Sequence, residues 1–238
     1  MATYGQDTWS IPRERAGLSV TQRYMARVYG YMTLGLFISA ASAFATITVP
    51  ALRALVFTPF GVGALMVATL VMVFAYSALA HRVATGTAAL MLLSYAVLNG
   101  MMLSGVFLAY TATSIVGTLV VTAGMFGAMS AWGMVARRDL TSWGSFGMMG
   151  VIGIILASLV NIFLQNNAMA FIISVVGVIA FVALTAYDTQ RILRAHEASL
   201  IGSRGNVERS ALSGALTLYL DFINLFLMLL RLGGHREE

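Results

Sequence analysis

Seven long apolar segments dominate the chain and decide its fold class. Each segment has about 20 residues or more, the length that an α-helix needs to cross the ~30 Å hydrocarbon core of a bilayer. Within lipid, a helix satisfies all its backbone hydrogen bonds inside a single segment. The sequence therefore predicts an all-α protein with seven transmembrane helices. These predicted spans cover residues 29–49, 60–79, 87–110, 114–135, 145–164, 168–187 and 211–232.

The segments outside these spans are polar and indicate the topology. Residues 1–22 form a polar N-terminal tail, which we expect to be disordered or to lie on the membrane surface, and residues 23–238 form one transmembrane domain. The only long connection, at about residues 189–210, joins spans six and seven. Eleven of the 14 arginines lie in the N-terminal segment or in the connections after spans two, four and six. The positive-inside rule then predicts a cytoplasmic N-terminus and an outside C-terminus.

Composition excludes several classes of function. Only 10% of the residues are charged, whereas a soluble domain carries roughly 25%. The chain has no cysteine, so it can form no disulfide, thiolate nucleophile or cysteine metal site. All its basic residues are arginine, which removes Schiff-base chemistry such as retinal binding. The histidines lack the spacing of a zinc hydrolase. The net charge of +5 comes from arginines placed according to membrane topology, so no nucleic-acid partner is expected.

Two carboxylates lie in membrane-type sequence, Asp188 at the end of span six and Asp221 inside span seven. A charge at the centre of a bilayer costs ~3 kcal/mol on insertion scales and therefore indicates a functional site. If neighbouring helices bring the two together, the pair can share a proton or release it to bind a hard cation through oxygen. Their depths in the membrane do not establish this contact. Asp221 lies ~15 Å from the start of its span, whereas Asp188 lies at the membrane boundary.

Each of these residues also has a simpler interpretation. Asp188 could be an ordinary helix-end residue that pairs with Arg191 at i+3, and Asp221 could make a hydrogen bond that specifies the fold. Arg82, at the end of span two, has the position of a topology-setting arginine with a snorkelling side chain. Span seven nevertheless carries a polar stripe at steps of three and four, which should face the bundle interior. The stripe consists of Gly214, Thr217, Asp221, Asn224, Met228 and Arg231.

Small and amide residues inside the spans predict close helix packing. Glycines recur within spans two and five, as they do where helices approach through small-xxx-small contacts. Asn99 and Asn161 lie within apolar sequence, and we expect their amides to join helices rather than to bind a substrate.

Two segments resemble signatures of the Bax inhibitor-1 family of membrane proteins. Residues 187–190 read YDTQ, which resembles the span-six signature; residues 218–226 read LYLDFINLF and resemble the span-seven signature. The resemblance implies that the last helix is central and is wrapped by two three-helix layers. It also implies a pH-sensitive calcium leak. We expect a monomeric protein of a bacterial inner membrane that needs no cofactor. Its expected partners are calcium and the lipid bilayer, and partner membrane proteins are possible.

The resemblance also implies roles for individual residues. Asp188 and Asp221 would form the sensor that binds protons and calcium, and Arg82 would act as a latch on this pair. We expect Thr217, Asn224 and Tyr187 to support the sensor as neighbouring polar groups. The chain departs from some members of the family in span two, where it has apolar residues near Val71 in place of a glutamate.

Two other functions compete with the ion leak. Intramembrane aspartyl proteases also place Tyr-Asp on one span and Asp on the next, but glycine flanks their second motif so that a substrate backbone can approach. Here bulky residues at 218–220 precede Asp221, and no Pro-Ala-Leu motif follows. We therefore predict that the protein is not an enzyme. The remaining alternative is a scaffold that binds partner membrane proteins and uses its aspartates only for structure.

Overall fold

The computed structural model describes residues 10–80, 82–199 and 207–235, and within these ranges the chain forms eight α-helices. All except α2 are long and apolar enough to cross a bilayer, which confirms the predicted all-α fold with seven spans. The helices are α1 (Ser10–Thr48), α2 (Pro50–Val56), α3 (Pro59–Leu79), α4 (Thr85–Ala109), α5 (Ala112–Val135), α6 (Thr141–Leu164), α7 (Asn167–Ser199) and α8 (Val207–Gly233).

Polar sequence continues two of the helices beyond the predicted spans. Helix α1 begins at Ser10, so much of the tail that we expected to be disordered or surface-lying is helical. Helix α7 runs to Ser199 and α8 begins at Val207, so the prediction of a long connection at 189–210 was wrong. Hydropathy marks where a helix leaves the hydrocarbon, whereas a helix ends only where its backbone pattern is broken. Residues 1–9 of the tail and 200–206 of the connection lie outside the described residues.

Helix α8 is the most buried of the seven spans. It packs against α1, α4, α5 and α7, and its leucines at 218, 225 and 230 are fully buried. The last helix is therefore central, as the resemblance implied, while the arrangement of the other six into two layers stays a prediction. The surrounding helices turn large apolar side chains outward, including Phe60 and Phe163. These outward side chains form the surface that contacts lipid.

Two glycines allow the closest approach between membrane-spanning helices. A Cβ atom at Gly100 of α4 would collide with the backbone of Ser39 on α1. At Gly133 of α5 it would collide with the backbone carbonyl of Ala186 on α7. Backbone atoms cannot move aside as a side chain can, so only glycine permits this spacing. The small-residue packing predicted for span five is also present, because a Cβ atom at Gly147 or Gly150 would meet Leu184 or Ala180 of α7, whereas Gly63 of span two has no atom within 4 Å in the described residues.

Candidate functional site

The structure brings the two membrane carboxylates into contact. Asp188 is 8% exposed and Asp221 is 5% exposed, and their carboxyl groups share a hydrogen bond between α7 and α8. A carboxylate can only accept hydrogen bonds, so a bond between two carboxyl groups requires a proton on one of them. The Oδ2 atom of Asp221 is buried and has no hydrogen-bond partner within the described ranges. A proton shared with Asp188 or a cation would satisfy this acceptor.

The length of α7 explains why the two aspartates meet. Asp188 lies 11 residues before the end of α7, or ~17 Å, and Asp221 lies 14 residues after the start of α8, or ~21 Å. The two helices are antiparallel neighbours, so these distances place the carboxyl groups at similar levels. The mismatch in depth that the sequence indicated came from ending span six too early.

A polar cavity of about 440 Å³ adjoins Asp188. We call it the Asp188 cavity. Asp188 lines it directly, whereas Asp221 is not among its lining residues and lies behind Asp188. Six hydroxyl-bearing side chains line the cavity and could supply hard oxygen ligands. Its polar lining residues are Tyr24, Tyr76, Ser77, Asp188, Arg191, Ser210, Ser213 and Thr217.

Arg191 is the cation that accompanies Asp188 in this structure. Its guanidinium nitrogen lies 4.0 Å from Asp188 Oδ1, and its side chain is 69% exposed. The i+3 pairing considered from the sequence is therefore present together with the carboxyl contact, and an ion pair at this distance with one exposed partner is weak. Arg82 is exposed, and across the described part of the chain no ion pair joins it to Asp188 or Asp221. Its role as a latch stays a prediction.

The three residues expected to support the sensor differ in their positions. Thr217 lines the Asp188 cavity, and its hydroxyl donates to the backbone oxygen of Ser213 at 3.1 Å. Asn224 is half-buried on the same face of α8 and donates to the backbone oxygen of Leu220 at 2.8 Å. The ring of Tyr187 instead packs where a side chain on Gly144 of α6 would lie. Tyr187 therefore helps to fix α7 against α6.

Sequence reasoning missed the role of Gln190. This side chain is 4% exposed, and its amide donates to the backbone oxygens of Ala136 at 3.1 Å and Arg138 at 2.8 Å. Its Oε1 atom accepts from the backbone N–H of Leu140 at 2.9 Å. One side chain therefore fixes the α5–α6 loop to α7, two residues after Asp188. Its place in the YDTQ segment was visible in the sequence, but its partners were not.

A second buried polar cluster joins three helices around Tyr219. The Asn99 amide donates to the Tyr219 hydroxyl at 2.7 Å, and this hydroxyl lies 2.7 Å from the Ser39 hydroxyl. Ser39 in turn donates to the backbone oxygen of Ala96 at 2.8 Å, so Tyr219 is the donor to Ser39. The cluster links α4, α8 and α1, and it confirms that Asn99 joins helices.

Among the residues that the structure describes, the Asn161 amide makes a hydrogen bond within its own turn and none to another helix, so the prediction that it joins helices was wrong. Its side-chain oxygen accepts from the backbone N–H of Asn166 at 3.0 Å. This bond closes the turn between α6 and α7, where Gln165 adopts a positive φ of 49°. The amide therefore satisfies a local backbone group at the end of its own helix.

The carboxyl pair is a small donor set for a metal ion. Within the described residues there is no group of three or more His, Asp or Glu side chains that could hold a metal. Calcium takes six to eight oxygen ligands, so hydroxyl groups, backbone carbonyls and water would have to complete its shell here.

Comparison with known proteins gives the family. Residues 21–238 match the family model described as "Inhibitor of apoptosis-promoting Bax1". The chain is 46% identical over 230 residues to the inner membrane protein YbhL of Escherichia coli K12, covering 96% of this chain and 97% of that protein. It is 42% identical to an uncharacterized protein of Caulobacter vibrioides, with 96% of each chain covered. It is also 42% identical to an uncharacterized protein of Rickettsia prowazekii, with 91% of each chain covered. The chain therefore belongs to the Bax inhibitor-1 family of membrane proteins.

Proposed function

We propose that the protein is a pH-sensitive calcium leak in the bacterial inner membrane, with Asp188 and Asp221 as its sensor. One observation carries the proposal: two buried carboxyl groups touch across adjacent transmembrane helices beside a polar cavity. Buried ionisable residues in membrane spans are typical of ion and proton pathways. The inner membrane is proposed because the relative YbhL is named as an inner membrane protein.

The proposed orientation places the Asp188 cavity at the cytoplasmic side. The skewed distribution of the arginines supports a cytoplasmic N-terminus. The polar end of α7 and the start of α8 then lie in the cytoplasm, and the cavity beside them is open to cytoplasmic ions. Calcium would reach Asp188 first and Asp221 behind it.

Calcium and protons compete for the carboxyl pair. A proton satisfies the hydrogen bond between the two groups, whereas calcium requires their charged oxygens. Protonation removes the charge that attracts the ion, and it also removes the repulsion that would separate two carboxylates. The two effects change the rate of calcium flux in opposite directions, so the sign of its pH dependence is open. The effect of protonation on calcium binding has only one direction. Because binding of calcium releases protons, calcium affinity must depend on pH.

Arg82 would act on the pair in a different state of the protein. In the present arrangement, Arg191 accompanies Asp188 from the same helix. Arg82 follows α3, which forms one wall of the Asp188 cavity through Tyr76 and Ser77. If a movement of α3 allows Arg82 to pair with Asp188, Arg82→Ala shifts the pH midpoint of calcium flux. A normally expressed variant with an unchanged midpoint would leave Arg82 as a topology residue.

Burial of Asp221 supports a non-enzymatic function over proteolysis. An aspartyl protease must present both carboxyl groups to a water molecule and a substrate. Asp221 lies behind Asp188 and outside the cavity lining, and the bulky residues Leu218 and Tyr219 that precede it are fully buried. A scaffold function remains as the alternative that the experiment must separate from the leak.

The test is calcium flux and calcium binding in proteoliposomes across a pH series. We expect wild-type protein to pass calcium in a pH-dependent manner, and the double variant Asp188→Asn, Asp221→Asn to lose this dependence while keeping its size and hydrogen-bonding groups. Asp139→Asn is the matched control, because Asp139 is an exposed carboxylate outside the spans. Calcium affinity that is independent of pH in the wild type, or unchanged pH dependence in Asp221→Asn, would contradict the sensor and favour the scaffold.

A further inference from the structure

A second polar cavity lies at the opposite end of the α7–α8 pair. Its volume is about 640 Å³, and Arg231 of α8 lines it; we call it the Arg231 cavity. Thr217 and Arg231 belong to the same polar face of α8, so the Asp188 cavity and the Arg231 cavity lie along one line with the carboxyl pair between them. The other polar lining residues are Tyr110, Ser158, Asn161, Asn167 and Ser174.

Apolar contact interrupts this line between the carboxyl pair and the Arg231 cavity. On α8, Met228 stands between Asn224 and Arg231 and is 7% exposed. Its side chain packs against Gly177 of α7, where a Cβ atom would lie 2.7 Å from both Cγ and Sδ of Met228. Gly177 is 11 residues, or about three turns, from Asp188 and therefore lies on the same face of α7.

We propose that Met228, seated against Gly177, is an apolar septum that closes the route between the carboxyl pair and the Arg231 cavity. This inference rests on the proposed function, because it assigns the constriction of the same pathway. A narrow apolar segment excludes water, and an ion cannot cross it without its hydration shell. The septum explains how a protein with polar cavities at both ends keeps them separate.

The chemistry of the two residues suits a movable septum. Methionine is unbranched and has three rotatable bonds, so it can leave a gap by changing rotamer while both helices stay in place. Glycine provides the space that the thioether occupies, and any side chain at position 177 would compete for it. Phe181, buried on the same face of α7 between Gly177 and Asp188, extends the apolar lining toward the carboxyl pair.

The absence of cysteine from the chain allows a direct test of water access. Single variants Asn224→Cys, between the carboxyl pair and Met228, and Ser158→Cys, in the Arg231 cavity, are treated with a charged, membrane-impermeant methanethiosulfonate. The reagent is applied to the outer face of spheroplasts. We expect Ser158→Cys to react and Asn224→Cys to be protected. Adding Met228→Ala should accelerate labelling of Asn224→Cys about tenfold or more, which equals a barrier lowered by ~1.4 kcal/mol.

A second-site change tests the contact itself. Gly177→Ala places a methyl group 2.7 Å from the positions of Cγ and Sδ of Met228, in the gap that Met228→Ala leaves, so adding it to Met228→Ala should return the labelling rate toward that of the protected form. The matched control is Met149→Ala, since Met149 is 73% exposed on the lipid-facing surface; it should leave Asn224→Cys protected. If Met228→Ala does not accumulate in the membrane, Met228→Val makes the same comparison with more of the side-chain volume kept.

Labelling and calcium flux separate the septum from the proposed function. Rapid labelling of Asn224→Cys with Met228 intact, or continued protection after Met228→Ala, would overturn the septum. If Met228→Ala exposes Asn224→Cys but calcium does not cross the membrane, the septum stands and the calcium leak is refuted. If the labelling rate and the calcium flux both rise about tenfold, the same barrier, lowered by ~1.4 kcal/mol, limits both processes. Met228 then controls passage through the proposed pathway.

Discussion

The substitution Tyr219→Phe isolates the polar cluster that joins three helices. It removes one hydroxyl group, which accepts from the Asn99 amide and donates to Ser39. The ring stays, and so does its edge-on contact with Tyr95, whose centroid is 5.8 Å away. Because the packing is retained, any loss of stability comes from the two hydrogen bonds and from the Asn99 amide that is left without its acceptor.

The expected loss follows from the number of bonds. Side-chain hydrogen bonds in membrane proteins contribute ~0.6 kcal/mol on average and ~1.7 kcal/mol at most. Tyr219 is fully buried and both distances are 2.7 Å, which favours the upper part of that range. For two bonds we expect Tyr219→Phe to lower the free energy of unfolding by about 1–3 kcal/mol.

Reversible unfolding in mixed micelles, titrated with dodecyl sulfate, measures this difference. The matched control is Tyr95→Phe, which removes a hydroxyl from a neighbouring buried tyrosine that takes no part in these two bonds. We expect the control to stay close to the wild type. If Tyr219→Phe costs no more than Tyr95→Phe, the cluster does not hold α1, α4 and α8 together.

Two further predictions concern packing and the turn that precedes α6. Gly100→Ala should cost about 1–3 kcal/mol by overpacking, because its Cβ would meet the backbone of Ser39, while Gly105→Ala, with no atom within 4 Å of its Cβ, should be tolerated; folded yield and unfolding midpoints measure both. Asp139 accepts from the Thr141 hydroxyl at 2.6 Å and from its N–H at 2.9 Å, and these bonds hold the pKa of Asp139 below its ordinary value of 3.8. Its stabilising effect is therefore present above that ordinary pKa and is lost as the pH falls through the lower, folded-state pKa. Hydrogen exchange should show weaker protection of the Thr141 amide in Asp139→Ala than in the wild type at neutral pH, and equal protection in strong acid; a difference that persists in strong acid would contradict the reasoning.

Hydropathy predicted the fold well because the bilayer imposes it. A span must be long and apolar, and both properties can be counted in a single sequence. The isolation of Asp188 and Asp221 was visible for the same reason. What the sequence did not reveal was the continuation of α7 to Ser199, since the polar residues after Asp188 leave the hydrocarbon without ending the helix.

The missed residues are those whose meaning depends on distant partners. Gln190 binds backbone groups about 50 positions earlier in the chain, and the Tyr219 hydroxyl binds groups from α1 and α4. Neither residue differs in composition or spacing from one that faces solvent or packs in a core. Only the folded arrangement of the helices shows what their polar atoms contact.

The side-chain bonds divide the helices into two bodies that meet at the carboxyl pair. Gln190 attaches α7 to the loop between α5 and α6, while Tyr219 attaches α8 to α1 and α4. Several side-chain hydrogen bonds cross the seam between these bodies. Two of them start at consecutive residues: Asp188 reaches Asp221, and Thr189 reaches Tyr29 through Ser130. In a third, Ser114 of α5 accepts from the backbone N–H of His235 after α8. If the pair holds one proton, as proposed, its loss would replace the bond between Asp188 and Asp221 with a repulsion between like charges. In the proposed function, a single proton on this pair would change the force between two halves of the protein.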